Sequence, residues 1–399
     1  MSDLSDLSDW SDTSDTSDRS DTPDKPEQKN MTSNKNAAKK QGPDLWLLFS
    51  VLILAGLGLM MILSTSAVMA ERYYADKYFF FKRQLLFGLA GMLVMYLGCR
   101  INREVLYRLR YLWVAAALAL LAVTVFTPWG YAAGGATRWV SLGFFNIQPL
   151  ELAKVALVIY LACFFAFKQD KVKTFSVGFL PPTVITGLFC ALLLLQPDFG
   201  GAVYMAGLLF LLSLVGGTRI IYLFSSSVLA GITAVVLVLQ SPYRFRRWFS
   251  FLDPFQDAQD AGYQLVQSLY AFGSGGIWGM GLGEGRQKLF FLPEAHNDFI
   301  MAVVGEELGF IGVSLVFIVL GILLWRVLVI CMSQSDLVDR FAGLGMGMII
   351  ILGALLNLAV VLGVIPPKGL PMPFISYGGS SLLVSFFCAG FLLNLSRSR

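Results

Sequence analysis

The stretch LWLLFSVLILAGLGLMMILSTS, residues 45–66, runs for 22 residues without a charge. As a helix it reaches about 33 Å, enough to cross a bilayer core of about 30 Å. Similar runs recur at 84–99, 111–127, 152–167, 177–195, 200–217, 220–240, 303–330, 341–364 and 381–395. The reading is an all-α polytopic membrane protein of about ten transmembrane helices. The long interval 241–302 forms an extracytoplasmic loop between helices 7 and 8. Composition agrees: 56% of residues are hydrophobic and 14% charged, against about 25% charged in soluble domains. A mean hydropathy of +0.68 excludes a soluble globular enzyme and a disordered scaffold. The five cysteines form no CxxC pair, and His296 is the one histidine. They read as small hydrophobes, which argues against a His/Cys metal site.

Three segments are expected: a disordered cytoplasmic tail at 1–44, a ten-helix membrane domain at 45–395, and a short cytoplasmic terminus at 396–399. The tail repeats Ser-Asp-x from Asp3 to Asp24 and cannot bury apolar surface. A product beginning at Met31 would keep everything the fold needs. Near the membrane the tail turns basic, with Lys29, Lys35, Lys39 and Lys40. This places the N-terminus inside by the positive-inside rule, and an even number of spans returns the C-terminus to the same side. The inner side then holds 16 basic residues against 12 outside, setting aside Arg19 and Lys25. Five of the outer ones, Arg244, Arg246, Arg247, Arg286 and Lys288, share the long loop and are candidates for binding an anion.

Polar residues gather in four places. In GGATRWVSLGFFNIQPLELAK, 134–154, Gly134 and Gly135 permit a turn before Arg138, and Pro149 starts a helix carrying Glu151 and Lys154. These charges either cap and snorkel, or Arg138 and Lys154 cradle phosphate. In QPDFG, 196–200, Asp198 is a lone acid that either caps a helix or serves function. The long loop carries RFRRW, 244–248, and the glycine-dense GSGGIWGMGLGEGRQK, 273–288. This second segment lacks the GK[ST] ending of a P-loop and is either flexible or shaped for close backbone approach. LPEAHNDFI, 292–300, brings Glu294, His296 and Asp298 to the membrane edge. Asp298 can cap the eighth span or act as a base for a sugar hydroxyl. Glu306 and Glu307 follow, and at least one faces protein or a polar cleft. Last, IPPKGLPMPFISYGGSS, 365–381, is a kinked connector offering Lys368, Ser376, Tyr377, Ser380 and Ser381. Irregular backbone at this depth requires cover from protein or a wet cavity.

Taken in order, GGATRWV, IQPLELAK, QPDFG, FLDP, GYQLVQSLYAFGSGGIWGMGLGEGRQKL, LPEAHNDFI with EELG, and PFISYGGSS resemble the SEDS family (shape, elongation, division and sporulation proteins) over about residues 45–395. The KGL at 368–370 resembles its cell-division branch. Departures are Gly134 where the family often has Asn, Leu150 where it has Ser, and Asn297 where it has Thr.

The resemblance implies a peptidoglycan glycosyltransferase that polymerises lipid II at the outer face of the bacterial inner membrane, at the division septum. Undecaprenyl pyrophosphate leaves and C1 inverts. The family's essential aspartate maps onto Asp298. Arg138, Lys154, Arg246 and Lys368 are candidate pyrophosphate clamps, and Glu151, His296, Ser376 and Tyr377 further substrate contacts. A divalent cation, Mg or Mn, is an expected cofactor with Asp298 and Glu294 as contributors; no organic cofactor is expected. Implied partners are a cognate class B penicillin-binding protein (the septal transpeptidase), divisome activators, lipid II and membrane lipids, with no nucleic acid. The competing readings are a lipid II flippase, for which Glu306, Asp198 and Asn357 would line a transit path, and a non-catalytic divisome scaffold.

Overall fold

Charge-free runs fold as helices because a bilayer offers no partner for a bare peptide group. A computed structural model describes residues 42–398 apart from 134, 135, 142, 144, 145, 257, 261, 289–291 and 294. The tail up to residue 41, Met31 included, lies outside the described residues, as do Gly134, Gly135, Glu294 and the side chain of Arg244.

The chain opens with α1 (Leu45–Tyr74), α2 (Phe79–Arg100), α3 (Arg103–Arg108) and α4 (Arg110–Phe126). A small sheet follows, β1 (Gly130–Ala133), β2 (Ala136–Ser141) and β3 (Asn146–Ile147). Next come α5 (Pro149–Phe167), α6 (Leu180–Leu195), α7 (Phe199–Val215) and α8 (Ile220–Leu239). The long loop holds α9 (Pro242–Leu252) and α10 (Tyr263–Gly275), and α11 (Ile300–Met332), α12 (Leu337–Val361) and α13 (Gly379–Ser396) complete the fold. Among the described residues eight helices are long and apolar enough to cross a membrane, and α4 and α7 are shorter apolar helices. Together they match the ten expected spans.

The spans differ in burial. α5, α12 and α13 are mostly enclosed, whereas α8 buries little of its length. Where α2 meets α13 the backbones nearly touch: a β-carbon on Gly390 would lie 2.2 Å from the Met95 carbonyl oxygen. Such small-residue contacts substitute for hydrophobic driving force between helices in lipid.

Three features depart from the sequence expectation. First, the segment between the third and fourth expected spans, which reads as a loop from sequence, forms an antiparallel sheet of order β1-β2-β3, with Tyr131 opposite Trp139 and Val140 opposite Ile147. Its aromatic and β-branched residues suit a pleated surface. Second, Asp44 belongs to the membrane domain. It is buried, caps α1 through the Leu47 N–H, and pairs with Arg326 of α11, while its own N–H donates to Ser396 Oγ at 3.1 Å. On the same face Arg103 and Tyr107 hold Asp339 at the start of α12.

Third, α11 is broken at Gly309, whose φ of 64° few side chains tolerate. The break frees the carbonyls of Glu306 and Glu307 and the N–H groups of Phe310 and Ile311. The glycine-dense segment satisfies all four: Met280 and Gly281 donate to the two carbonyls, and Phe310 and Ile311 donate to Gly276 and Ile277. That segment is therefore a backbone plug for a broken membrane helix. A β-carbon on Gly279 would lie 2.2 Å from the Glu307 carbonyl oxygen.

Candidate functional site

Opposite the Asp44 face, four chain segments converge. β2 brings Arg138, the start of α7 brings Asp198, the 292–299 turn brings Asp298, and the connector between α12 and α13 brings Lys368 and Gly369.

Asp198 caps α7, its Oδ1 accepting from the Gly201 N–H at 3.1 Å, and the same oxygen lies 3.5 Å from Arg138 Nε. A β-carbon placed on Gly369 would lie 3.1 Å from Arg138 Nη1 and 3.2 Å from Asp298 Oδ2. Arg138 therefore reaches from Asp198 toward Asp298, across a notch that exists because residue 369 has no side chain. Lys368 passes beside Gly200 and sets its ammonium 5.6 Å from the Phe199 ring centre. Burial pushes its pKa below the ordinary 10.5.

Asp298 lies one residue before the cap position of α11. Phe299 holds the cap position, with no side-chain cap. The Asp298 backbone is instead pinned by consecutive carbonyls. That of His296 accepts from the Tyr377 N–H at 2.9 Å, that of Asn297 from Ser376 Oγ at 2.6 Å, and that of Asp298 from Asn357 Nδ2 at 2.8 Å. Asn357 Nδ2 also donates to the Leu370 carbonyl at 2.8 Å. Ser376 Oγ accepts from the Met372 N–H in turn. Phe374, at φ 64°, is buried within the same connector. A left-handed non-glycine residue persists only when surrounding contacts over-determine it.

The other candidates fall into place around this cluster. The His296 ring packs between Phe80 and Tyr377, at 4.9 and 5.8 Å between centres. Burial raises the Tyr377 phenol pKa, and its hydrogen bond with Arg83 opposes that rise. Ser380 Oγ accepts from the Gln148 N–H, tying the connector to the start of α5. Lys154 and Glu151 pair at 2.7 Å and are almost fully buried, with the ammonium 4.5 Å from the Tyr204 ring centre. Arg246 lies on the exposed amphipathic helix α9 and pairs with Asp260 at 2.5 Å. Lys288, read as an outer anion ligand, is turned inward and bonds Glu307 at 2.8 Å and Ser64 at 3.1 Å.

The three residues that suggested a transit path are committed locally. Glu306 accepts from the Arg286 and Gln287 N–H groups, Asp198 caps α7, and Asn357 joins two carbonyls. For a divalent cation, no three metal-ligating side chains gather among the described residues. Beside Gly369, Asp298 neighbours the Arg138 guanidinium; Glu294, the other expected contributor, lies outside the described residues. Two features were missed from sequence: the notch at Gly369, and the link made by Asn357. An amide inside an otherwise apolar run was the available signal for Asn357.

Fold and site together define a polytopic helical membrane protein with a charged notch at one end of its bundle. Residues 45–399 match the family described as "Cell cycle protein", that of FtsW, RodA and SpoVE. The chain belongs to that family, the SEDS proteins. It is 44% identical over 353 residues to the "Probable peptidoglycan glycosyltransferase FtsW" of Trichlorobacter lovleyi, covering 88% of this chain and 93% of the relative. It is 39% identical over 360 residues to "Stage V sporulation protein E" of Bacillus subtilis, covering 90% and 98%. Among solved structures, a chain from "Structural coordination of polymerization and crosslinking by a peptidoglycan synthase complex" superimposes with a TM-score of 0.72 at 29% identity, covering 89% of this chain and 98% of that one. The rod shape determining protein RodA of Thermus thermophilus does so with 0.64 at 28% identity, covering 90% and 97%.

Proposed function

We infer that this protein is a peptidoglycan glycosyltransferase that extends glycan strands from lipid II, with Asp298 as general base. The convergence of Asp298 with Arg138 at the Gly369 notch carries this reading. The relatives' names supply the reaction class.

The chemistry follows from the charges. Asp298 takes the proton of the acceptor's 4-hydroxyl as that oxygen attacks C1 of the donor glycan. The new C1–O bond forms on the face opposite the departing phosphate, so the α-linked donor gives a β-linked product. The C1–O bond to pyrophosphate breaks, and the electron pair leaves with undecaprenyl pyrophosphate. That leaving group needs charge compensation rather than a proton, so one acid–base group suffices. Arg138 offers a planar fork and Lys368 a point charge for this role. Lys154 already has its charge compensated by Glu151. Arg246, on the exposed face of α9, meets the substrate nearer solvent. Any divalent cation would be held largely by the pyrophosphate itself, and no step above depends on it.

A lipid-linked substrate suits a site at the bundle end, where the isoprenoid tail stays in hydrocarbon while the sugars meet β2 and the connector. Ten apolar helices return both termini to one side, and the basic residues before α1 support placing that side in the cytoplasm and the notch at the outer leaflet; the family description "Cell cycle protein" supports enrichment at the division septum. Likeness to a chain from a peptidoglycan synthase complex that coordinates polymerization and crosslinking supports a crosslinking partner. For this chain the partner is a class B penicillin-binding protein, with divisome activators regulating the pair.

The test is polymerisation of labelled lipid II by the purified, reconstituted protein. It compares wild type with Asp298→Ala and Asp298→Asn, with and without EDTA and the cognate transpeptidase. Wild type forms polymer, and both variants keep partner binding while losing polymerisation. Lipid II translocation without polymer supports a flippase; normal polymer from Asp298→Asn removes Asp298 as the base.

A further inference from the structure

Asn357 sits on α12, outside the proposed reacting groups, yet touches both walls of the notch. Its carboxamide nitrogen has two hydrogens. One goes to the carbonyl of Asp298 and the other to the carbonyl of Leu370, both at 2.8 Å. Leu370 directly follows the notch residue, and its own N–H folds back on the Lys368 carbonyl at 2.8 Å. A single NH2 group thus ties the Asp298 peptide directly to the Lys368–Leu370 turn, beside the links that Ser376 and Tyr377 make further along the same connector. Asn357 itself is only 1% exposed.

The rest of the geometry shows why this link matters more than an ordinary buried hydrogen bond. Tyr377 and Ser376 hold the carbonyls of His296 and Asn297. Phe299 begins α11 without a side-chain cap. Between those anchors the Asp298 peptide is held at its carbonyl by Asn357, so that bond fixes the direction in which the Asp298 side chain leaves the backbone. Asn357 Oδ1 is buried and makes no hydrogen bond. Polar capacity is therefore left unused on one atom of the group while both hydrogens on the other are engaged. The arrangement is that of a donor placed for its two N–H bonds.

We propose that Asn357 is a positioning residue for the glycosyl transfer, holding the Asp298 peptide and the Lys368–Leu370 turn at a fixed spacing through its paired N–H bonds. This rests on the glycosyltransferase reading. Arg138 has its own anchor in Asp198, so substrate binding survives the loss of Asn357 better than turnover does. Aspartate at this position would set carboxylate oxygens against two carbonyl oxygens, the reverse of the native pattern.

The experiment uses full-length protein in proteoliposomes with fluorescent lipid II, measuring kcat, KM and melting temperature. Asn357→Leu keeps the branched shape, at somewhat larger volume, and removes both N–H groups. Its kcat falls on the order of 10²-fold, the scale of a roughly 1 Å misplacement, while KM changes by less than about threefold. Asn357→Gln keeps the NH2 group on a longer arm and recovers part of kcat. Should the Leu variant fail to fold, Asn357→Asp removes the same donors at unchanged shape and carries the same expectation. Wild-type kcat in either donor-free variant overturns the proposal. So does a kcat loss accounted for by a lower folded fraction, a matching rise in KM, or a Gln variant no better than Leu. Absence of polymer from wild type would instead refute the glycosyltransferase reading.

Discussion

The notch at Gly369 can be filled one carbon at a time. In Gly369→Ala the new β-carbon meets Arg138 Nη1 at 3.1 Å and Asp298 Oδ2 at 3.2 Å. Ordinary contact is about 3.5 Å, so these two charged atoms must move apart by roughly 0.4 Å. Misplacing a reacting group by 1 Å costs about 10²-fold, and scaling that penalty gives a loss of roughly 5–10-fold in kcat/KM for alanine. Gly369→Val adds two methyl groups in the same space, needs about 1 Å of displacement, and loses on the order of 10²-fold. Gly369 does not lie in the left-handed region, so neither change strains the backbone on that account. Polymerisation of labelled lipid II in proteoliposomes, followed by gel separation of the strands, gives the rates. Thermal melting in detergent checks that the fold is kept. A valine variant that polymerises at the wild-type rate would show that Arg138 and Asp298 do not act together across this notch.

Burial of the Lys288–Glu307 pair, with side chains 7% and 0% exposed, makes it costly to break from one side. Glu307→Gln leaves the ammonium uncompensated and lowers stability by about 3–5 kcal/mol, whereas Lys288→Met with Glu307→Gln recovers most of the loss; thermal melting reads both. Lys368 should give a pH signature. Its folded pKa is lowered from 10.5 by burial, so its positive charge, and with it pyrophosphate affinity, is lost as pH rises through that lowered value. Lys368→Arg keeps its charge there and flattens the alkaline rise in KM. The stability effect has the opposite sign. The cost of burying the charge is fully present below the folded pKa and is relieved as pH climbs toward 10.5, so the unfolding free energy rises across that window.

The particular residues show how far one dimension reaches. Hydropathy alone located the ten apolar helices, because spanning a bilayer demands length and the absence of charge, and both are written locally. The same local logic offered a helix cap as one of two readings of Asp198 and marked Asp298 as a carboxylate at a membrane edge. The sheet at 130–147 escaped notice because its strands are short and their pairing is non-local. The glycine-dense loop could be read as flexible because its partner, the break at Gly309, lies about thirty residues further on. Lys288 and Lys154 resembled ligands for an anion, since charge is visible in sequence while the carboxylate compensating it across a helix interface is not.

By itself, then, the order of residues determined a multi-span helical protein, the approximate places of its spans (α1 runs to Tyr74, past the expected end at 66, and α2 begins at Phe79, before the expected 84) and the short roster of charged groups near the membrane surface. These depend on interactions with solvent and with neighbours a few residues away. Only the tertiary structure decided which charges are consumed by internal pairs and which meet at a notch. That choice depends on β2, α7, the turn before α11 and the 362–378 connector arriving at one point from distant parts of the chain. Hydrogen bonds to the backbone carbonyls of residues 296–298 then hold the turn against the connector and α12, and the Arg138–Asp198 pair joins β2 to α7.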